Sequence, residues 1–260
     1  MAMKRVPLYR APVAGLMSLT LAATALPPTA FADPPPHANN PDDKDQQQDK
    51  EDKKKAKRLS REEQEERIRR QQANLQLYRQ NIALREEVAE RDEQILRQQK
   101  RIAHLRFQEA YAERLRQQRM ALLNARYDFY NDPFYYTGPS YRYRREGRYY
   151  TTNEIGIDAL KRALNQGYKE GYRAGRADRE DGWRFDPRAS FAYQDANYGY
   201  DGRYIAQSEY NHYFREGFQR GYEDGYYGRR KYGSGGDDDN EWWIAAGVIA
   251  AVLAIEAIND

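Results

Sequence analysis

Two stretches of the chain, GYKEGYRAG at residues 167–175 and GFQRGYEDG at residues 217–225, carry the same glycine spacing at an offset of 50 residues. The match continues upstream, where Leu164 corresponds to Phe214. Internal similarity at a fixed offset is typical of a structural unit that occurs twice. Further equivalent positions pair Leu160 with Tyr210 and Ile155 with Ile205.

The limits of the two copies follow from residues that favour helix starts. Asp158 and Ser208 occupy equivalent positions, and both are residue types that cap helix N-termini. We therefore expect two helices, at about 159–180 and 209–229. A flexible Tyr-Gly segment of low complexity is the alternative, and the shared caps and apolar positions argue against it.

Glycine at every fourth position is costly in a helix, at about 3 kcal/mol for three glycines relative to alanine. The spacing also places the glycines in one stripe, which lets a second helix backbone approach closely. The aromatic residue after each glycine would flank that stripe. The two copies are therefore expected to pack on each other through a helix-packing repeat of Gly167, Gly171, Gly175, Gly217, Gly221 and Gly225 with Tyr168, Tyr172, Phe218 and Tyr222.

The two glycine runs resemble the repeated Gly-x-x-x-Gly helices of a flagellar-export regulator family and of a small eukaryotic adaptor family. The chain is more similar to uncharacterised secreted bacterial proteins that combine a coiled coil with GYxxGYxxG repeats. That resemblance implies no known activity, and no characterised family is matched.

Residues 59–127 have a different composition, because no glycine or proline occurs between Pro41 and Pro133. Good helix formers dominate, and Ser60 with Glu63 fits a capping box at the start. The segment predicts one long helix of about 70 residues and roughly 100 Å.

Apolar residues at heptad spacing in this segment predict a coiled coil that makes the protein self-associate. The seam would consist of Leu77, Leu84, Val88, Ile95, Ile102 and Leu105. Other apolar residues seven apart lie in a second register (Ile68, Leu75, Ile82) and a third (Leu115, Leu122), so the seam is interrupted. A solitary charged helix is the alternative.

The two ends of the chain have compositions of their own. Residues 1–32 read as a signal peptide with a basic start, an apolar run and an Ala-Phe-Ala cleavage site. Residues 33–58 are expected to be a disordered linker, and residues 233–241 an acidic one. Residues 242–260 are expected to form an apolar C-terminal helix that packs on the Tyr-rich domain of residues 128–232, joins an oligomer contact, or touches a membrane through residues 242–255.

Composition excludes several classes of function. The chain has 43 Lys and Arg against 40 Asp and Glu, and three of the bases lie in the leader, so the mature chain is balanced and does not suggest a nucleic-acid binder. It has no cysteine, and its three histidines are far apart. We expect no catalytic residue, no cofactor and no metal site.

The sequence therefore predicts a mainly α protein: a long coiled-coil helix followed by a small Tyr/Gly-rich duplicated helix pair, with disordered linkers. The expected function is that of a non-enzymatic cell-envelope protein, in the periplasm or outside the cell, that oligomerises and docks an envelope protein or the cell wall. A glycan- or peptidoglycan-binding module using exposed Tyr, Trp and Arg is the alternative.

Overall fold

The computed structural model describes residues 58–82, 84–234 and 243–258. The described chain is mainly helical, as predicted, and it also has a few short strands. The signal peptide, nearly all of the 33–58 linker and most of the acidic linker lie outside these residues.

The segment predicted as one long helix is divided into three. They are α1 (Arg61–Asn81), α2 (Leu84–Gln98) and α3 (Ile102–Asn124). The capping box of Ser60 with Glu63 is confirmed at the start of α1. After α2 the chain turns back, because Lys100 adopts a left-handed φ of 58° and the amide of Arg101 donates to the carbonyl of Leu96. The single 70-residue helix is therefore wrong.

A charged residue far along the chain stabilises the start of α3. The carboxylate of Asp181 accepts hydrogen bonds from the backbone amides of Ala103 and His104, at 2.8 and 2.9 Å. Arg119 on α3 pairs with Glu86 on α2 at 3.0 Å, and Arg97 pairs with Glu109 at 2.8 Å, so the two helices pack as an antiparallel hairpin.

A short helix, α4 (Pro133–Tyr136), leads into a β-hairpin of β1 (Tyr141–Arg145) and β2 (Arg148–Thr152). Glu146 and Gly147 form its two-residue turn, and both have positive φ, of 49° and 80°. That conformation matches the twist of the flanking strands. The alternation of tyrosine and arginine in this region therefore belongs to strands.

The two glycine-rich helices are α5 (Glu154–Glu180) and α7 (Gln207–Tyr227), joined by a 3-10 turn (Pro187–Ala189) and α6 (Phe191–Asp195). Both begin before the predicted starts, so Asp158 and Ser208 are not N-caps. Asn153 caps α5 by accepting from the amide of Gly156, whereas Ala206 precedes α7 without a side-chain cap.

The C-terminal segment is not one helix. β3 (Gly233–Ser234) pairs with β4 (Trp243–Ile244), α8 covers Ala246–Leu253, and β5 (Glu256–Ala257) joins β1 in a sheet of order β2-β1-β5. Ile244 and Leu253 are buried, so the segment packs on the domain. Among the described residues, no helix is long and apolar enough to cross a membrane.

Candidate interaction surfaces

The glycines of α5 lie directly against the backbone of α7. A Cβ built on Gly171 would overlap the carbonyl oxygen of Phe218 and lie 2.7 Å from its carbonyl carbon. Gly167 meets Phe214, and Gly175 meets Tyr222, in the same way. Successive glycines meet successive turns in the same order, so the two helices run parallel.

The glycines of α7 repeat this arrangement on α5. A Cβ on Gly217 would overlap the carbonyl oxygen of Leu164, and one on Gly221 would overlap that of Tyr168. Gly225 meets Tyr172. Gly217 and Leu164 are equivalent, at the offset of 50 residues, to Gly167 and Phe214. Each copy of the repeat therefore makes the same contact on the other. The glycine stripes of α5 and α7 therefore pack against each other, and neither stripe is accessible to a partner protein.

The aromatic residues beside the glycines are buried within this pair. Tyr168 and Tyr222 are fully buried, and Phe218 stacks between Phe214 and Tyr222, with ring centroids 6.3 and 6.2 Å apart. Tyr172 is half-buried and packs near the buried Ile244. These rings form the walls of the helix pair.

Buried carboxylates hold the tyrosine hydroxyls in place. The hydroxyl of Tyr168 on α5 donates to Asp224 on α7 at 2.9 Å, and the hydroxyl of Tyr222 on α7 donates to Asp178 on α5. Burial is the largest cause that raises the pKa of both tyrosines, and the adjacent carboxylates add to it. The two bonds cross the helix pair in opposite directions.

His104 and Arg101 join Asp178 in a charged cluster. His104 Nδ1 lies 2.7 Å from Asp178 Oδ1, and Arg101 pairs with the same carboxylate. Burial raises the pKa of Asp178, but its interactions with His104, Tyr222 and Arg101 outweigh burial and hold that pKa below its usual value. Both His104 and Asp178 are 1% exposed, so the cluster joins α3 to α5 and is closed to substrate.

The predicted coiled-coil residues are mostly exposed. Leu77 is 57% exposed, Leu84 61%, Val88 45% and Ile95 48%; we call these four residues the α1–α2 stripe. Ile102 is 48% exposed, whereas Leu105 is buried. The chain turns back before Ile102, which separates Ile102 and Leu105 from the stripe.

The stripe borders a groove of about 330 Å³. Leu84 and Val88 line it from α2, Phe191 from α6 and Arg215 from α7. An apolar wall facing a concave surface is the shape into which an additional helix fits.

Exposed aromatic rings gather at the C-terminal ends of α5 and α7. Phe185 is 42% exposed and stacks on Tyr227, which is 54% exposed, with ring centroids 5.6 Å apart. The Arg229 guanidinium lies 4.4 Å from the centre of the Tyr227 ring. We call Phe185 and Tyr227 the aromatic platform.

Among the described residues, no group of three or more His, Cys, Asp or Glu side chains has the arrangement of a metal site. Compared with protein-family models, with curated proteins and with solved structures, the chain has no match. That result agrees with the prediction that no characterised family is matched.

Proposed function

We propose that this protein is a non-enzymatic cell-envelope interaction protein that self-associates through the α1–α2 stripe and docks partners through the outer surfaces of its glycine helix pair. One observation carries the proposal: four apolar side chains with coiled-coil spacing are exposed in the part of the chain that the structure describes. The leader-like residues 1–32 support an exported protein.

The stripe has the spacing of a two-stranded seam. Leu77 and Leu84 occupy d positions and Val88 and Ile95 occupy a positions, while Arg91 takes the d position between Val88 and Ile95. Arg91 is largely exposed and pairs with Glu87 at 3.6 Å. The occupant that we propose for the stripe is a second copy of this chain.

The charge of Arg91 favours an antiparallel pair. In a parallel dimer the two Arg91 side chains would face each other, and like charges at a seam are unfavourable. An antiparallel pair centred between residues 89 and 90 instead places Arg91 opposite Val88 of the second copy and Leu84 opposite Ile95. Each arginine stem then covers an apolar side chain while its guanidinium reaches solvent.

Sedimentation of the mature chain tests self-association. The variant Leu84→Asn/Val88→Asn/Ile95→Asn removes the stripe, and the matched control Met120→Asn/Leu123→Asn replaces exposed apolar side chains of α3 that lie outside it. We expect the wild type and the control to form dimers and the stripe variant to be a monomer with unchanged circular dichroism. A wild-type chain that stays monomeric up to its solubility limit would remove the proposal.

Glycan binding is the second candidate, and the aromatic platform is the observation that favours it. Flat, exposed rings beside a guanidinium offer an apolar face and hydrogen-bond donors together, which suits the faces and hydroxyls of sugar rings. Co-sedimentation with isolated peptidoglycan tests it with Phe185→Ala/Tyr227→Ala, and with Tyr130→Ala as the control because Tyr130 is 62% exposed outside the platform. Binding lost only in the platform variant would support this candidate.

A further inference from the structure

A cleft of about 470 Å³ lies between α1, the β-hairpin and the start of α7, and we call it the hairpin cleft. Charged side chains line it from two sides, with Arg67 on α1 and Glu209 on α7. Three aromatic side chains also border it: Phe134, Tyr143 and Tyr204. Its volume lies within the range of small-molecule sites, which is about 300–1,000 Å³. The aromatic platform lies at the other end of α7, so the two surfaces are separate.

The guanidinium of Arg67 is held in place by backbone groups. Its Nη1 atom donates to the carbonyl oxygens of Phe134 and Thr137, at 2.8 and 3.0 Å, and its Cζ atom lies 4.6 Å from the centre of the Phe134 ring. Burial lowers the pKa of this guanidinium, and in the described chain it pairs with no carboxylate. The Nε and Nη2 atoms also have no acceptor there. Arg67 is therefore a fixed, half-buried donor whose second edge is left for an acceptor in the cleft.

Two glutamates of the cleft keep acceptor atoms. Glu209 accepts from the hydroxyl of Tyr143 through Oε1, and Glu63 accepts from the backbone amide of Ser60 through Oε2 at 2.9 Å. Burial and the adjacent Glu209 raise the pKa of Tyr143, so its hydroxyl keeps the proton that it donates. No described residue donates a hydrogen bond to the second oxygen of either carboxylate. The cleft therefore presents donors and acceptors together.

Tyr204 adopts a strained backbone conformation at the edge of the cleft. Its φ is 69°, in the left-handed region that bulky residues rarely adopt. Its hydroxyl donates to Asp132 at 3.0 Å, and its ring packs edge-on against Phe134 with ring centroids 5.1 Å apart. Strain of this kind is concentrated at functional sites, and here it fixes an aromatic ring in the wall of the cleft.

We propose that the hairpin cleft binds an uncharged saccharide. A hydroxyl group both donates and accepts hydrogen bonds, so neighbouring hydroxyls of one sugar can accept from Arg67 and donate to Glu209. An anion would be repelled by Glu63 and Glu209, and a cation would be repelled by Arg67, so a neutral ligand fits best. The aromatic rings that border the cleft supply apolar surface for the C–H face of a sugar ring.

The test is titration calorimetry of the mature chain with three probes at constant ionic strength. N,N′-diacetylchitobiose is an uncharged disaccharide, acetate is an anion, and glycerol carries hydroxyls without a ring. Arg67→Gln removes the guanidinium, and Arg61→Gln is the matched control because Arg61 is on the same helix, 87% exposed and outside the cleft. Thr151→Trp is a second variant: Thr151 is exposed at the border of the cleft, so an indole ring there would fill the space without removing a buried contact.

The disaccharide should bind the wild type and Arg61→Gln equally. Its binding should weaken at least about tenfold in Arg67→Gln, the effect of losing one hydrogen bond to a charged group, and it should disappear in Thr151→Trp. The platform variant Phe185→Ala/Tyr227→Ala should keep this binding, which distinguishes the cleft from glycan binding at the platform. Disaccharide binding that is absent from the wild type, unchanged in a folded Arg67→Gln or Thr151→Trp chain, or lost only in the platform variant would overturn the proposal. Acetate or glycerol that binds as tightly as the disaccharide would overturn it as well.

Discussion

Replacing Gly171 by alanine adds a methyl group that overlaps the carbonyl oxygen of Phe218. The neighbour is backbone, so no side-chain rotation can relieve the overlap, and α5 and α7 must move apart. Overpacking costs roughly 1–3 kcal/mol, and a fixed neighbour puts this site near the upper end. Alanine returns about 1 kcal/mol of helix propensity. The free energy of unfolding should therefore fall by about 2 kcal/mol.

Thermal unfolding of the mature chain, followed by circular dichroism, measures this loss. For a chain of this size, 2 kcal/mol corresponds to a melting temperature lower by about 4–8 °C. The matched control is Gly247→Ala in α8, where, among the described residues and apart from the adjacent residues and the backbone of α8, no atom lies within 4 Å of the added Cβ and φ is not positive. That variant should melt at or slightly above the wild-type temperature, because only the propensity changes.

A double variant separates helix contact from other causes. Gly221 meets Tyr168 next to the Gly171 contact, so the helices already parted by Gly171→Ala have more room for Gly221→Ala. The two losses should then sum to more than the loss in the double variant, as expected for sites that share one displacement. A Gly171→Ala chain that melts at or above the wild-type temperature would refute close packing of the two helices as the reason for the glycines.

The other predictions concern tyrosine ionisation, the cap of α3 and the direction of the dimer. Nine tyrosines are at most 3% exposed, and burial is the main cause that raises the pKa of each: Tyr78, Tyr111, Tyr135, Tyr143, Tyr168, Tyr200, Tyr210, Tyr213 and Tyr222. Their contribution to the stability of the folded chain is complete below pH 10 and is lost as pH rises above it, because the unfolded chain then ionises first. Above about pH 10.5 ionisation of these tyrosines favours the unfolded chain, so helical circular dichroism should disappear as tyrosinate absorbance rises. Tyrosinate that forms in a chain that stays helical would contradict this prediction. Asp181→Ala removes the cap of α3 and should lower the free energy of unfolding, measured with denaturant, by about 1–2 kcal/mol. The control Asp158→Ala should change that free energy little, because Asp158 does not cap a helix. Equal losses in the two variants would contradict the role of Asp181 as a cap. The chain has no cysteine, so mixing Leu84→Cys with Ile95→Cys chains should give a disulfide-linked heterodimer if the dimer is antiparallel, and efficient linkage of Arg91→Cys to itself would show a parallel one.

The glycine pair could be predicted because its evidence is local and occurs twice. Glycines four residues apart form a stripe in any helix, and an equivalent second stripe supplies a partner in the same chain. The starts of these helices were mispredicted because Asp158 and Ser208 are good caps in isolation. Asn153 caps α5, while α7 begins after Ala206 without a side-chain cap.

The turn between α2 and α3 could not be predicted from nearby residues. The sequence around Lys100 contains no glycine or proline, and left-handed lysine is unfavourable on its own. Its stabilisation comes from Asp181, which lies 77 residues beyond His104 and caps α3 only in the folded chain. The β-hairpin, by contrast, has a local signal in the sequence, because the turn residues Glu146 and Gly147 lie between alternating tyrosines and arginines.

In the structure, the competing heptad registers of the sequence differ in burial. Ile68, Leu75 and Ile82, which disagreed with the main register, are all at most 5% exposed and pack within this chain. Leu115 and Leu122 are also buried. The main register instead supplies the exposed α1–α2 stripe. The second and third registers therefore pack within this chain, whereas the residues of the α1–α2 stripe are exposed in the part of the chain that the structure describes. For this reason replacing Leu84, Val88 and Ile95 should change association without unfolding the chain, whereas the same change at Ile68 or Leu75 should unfold it.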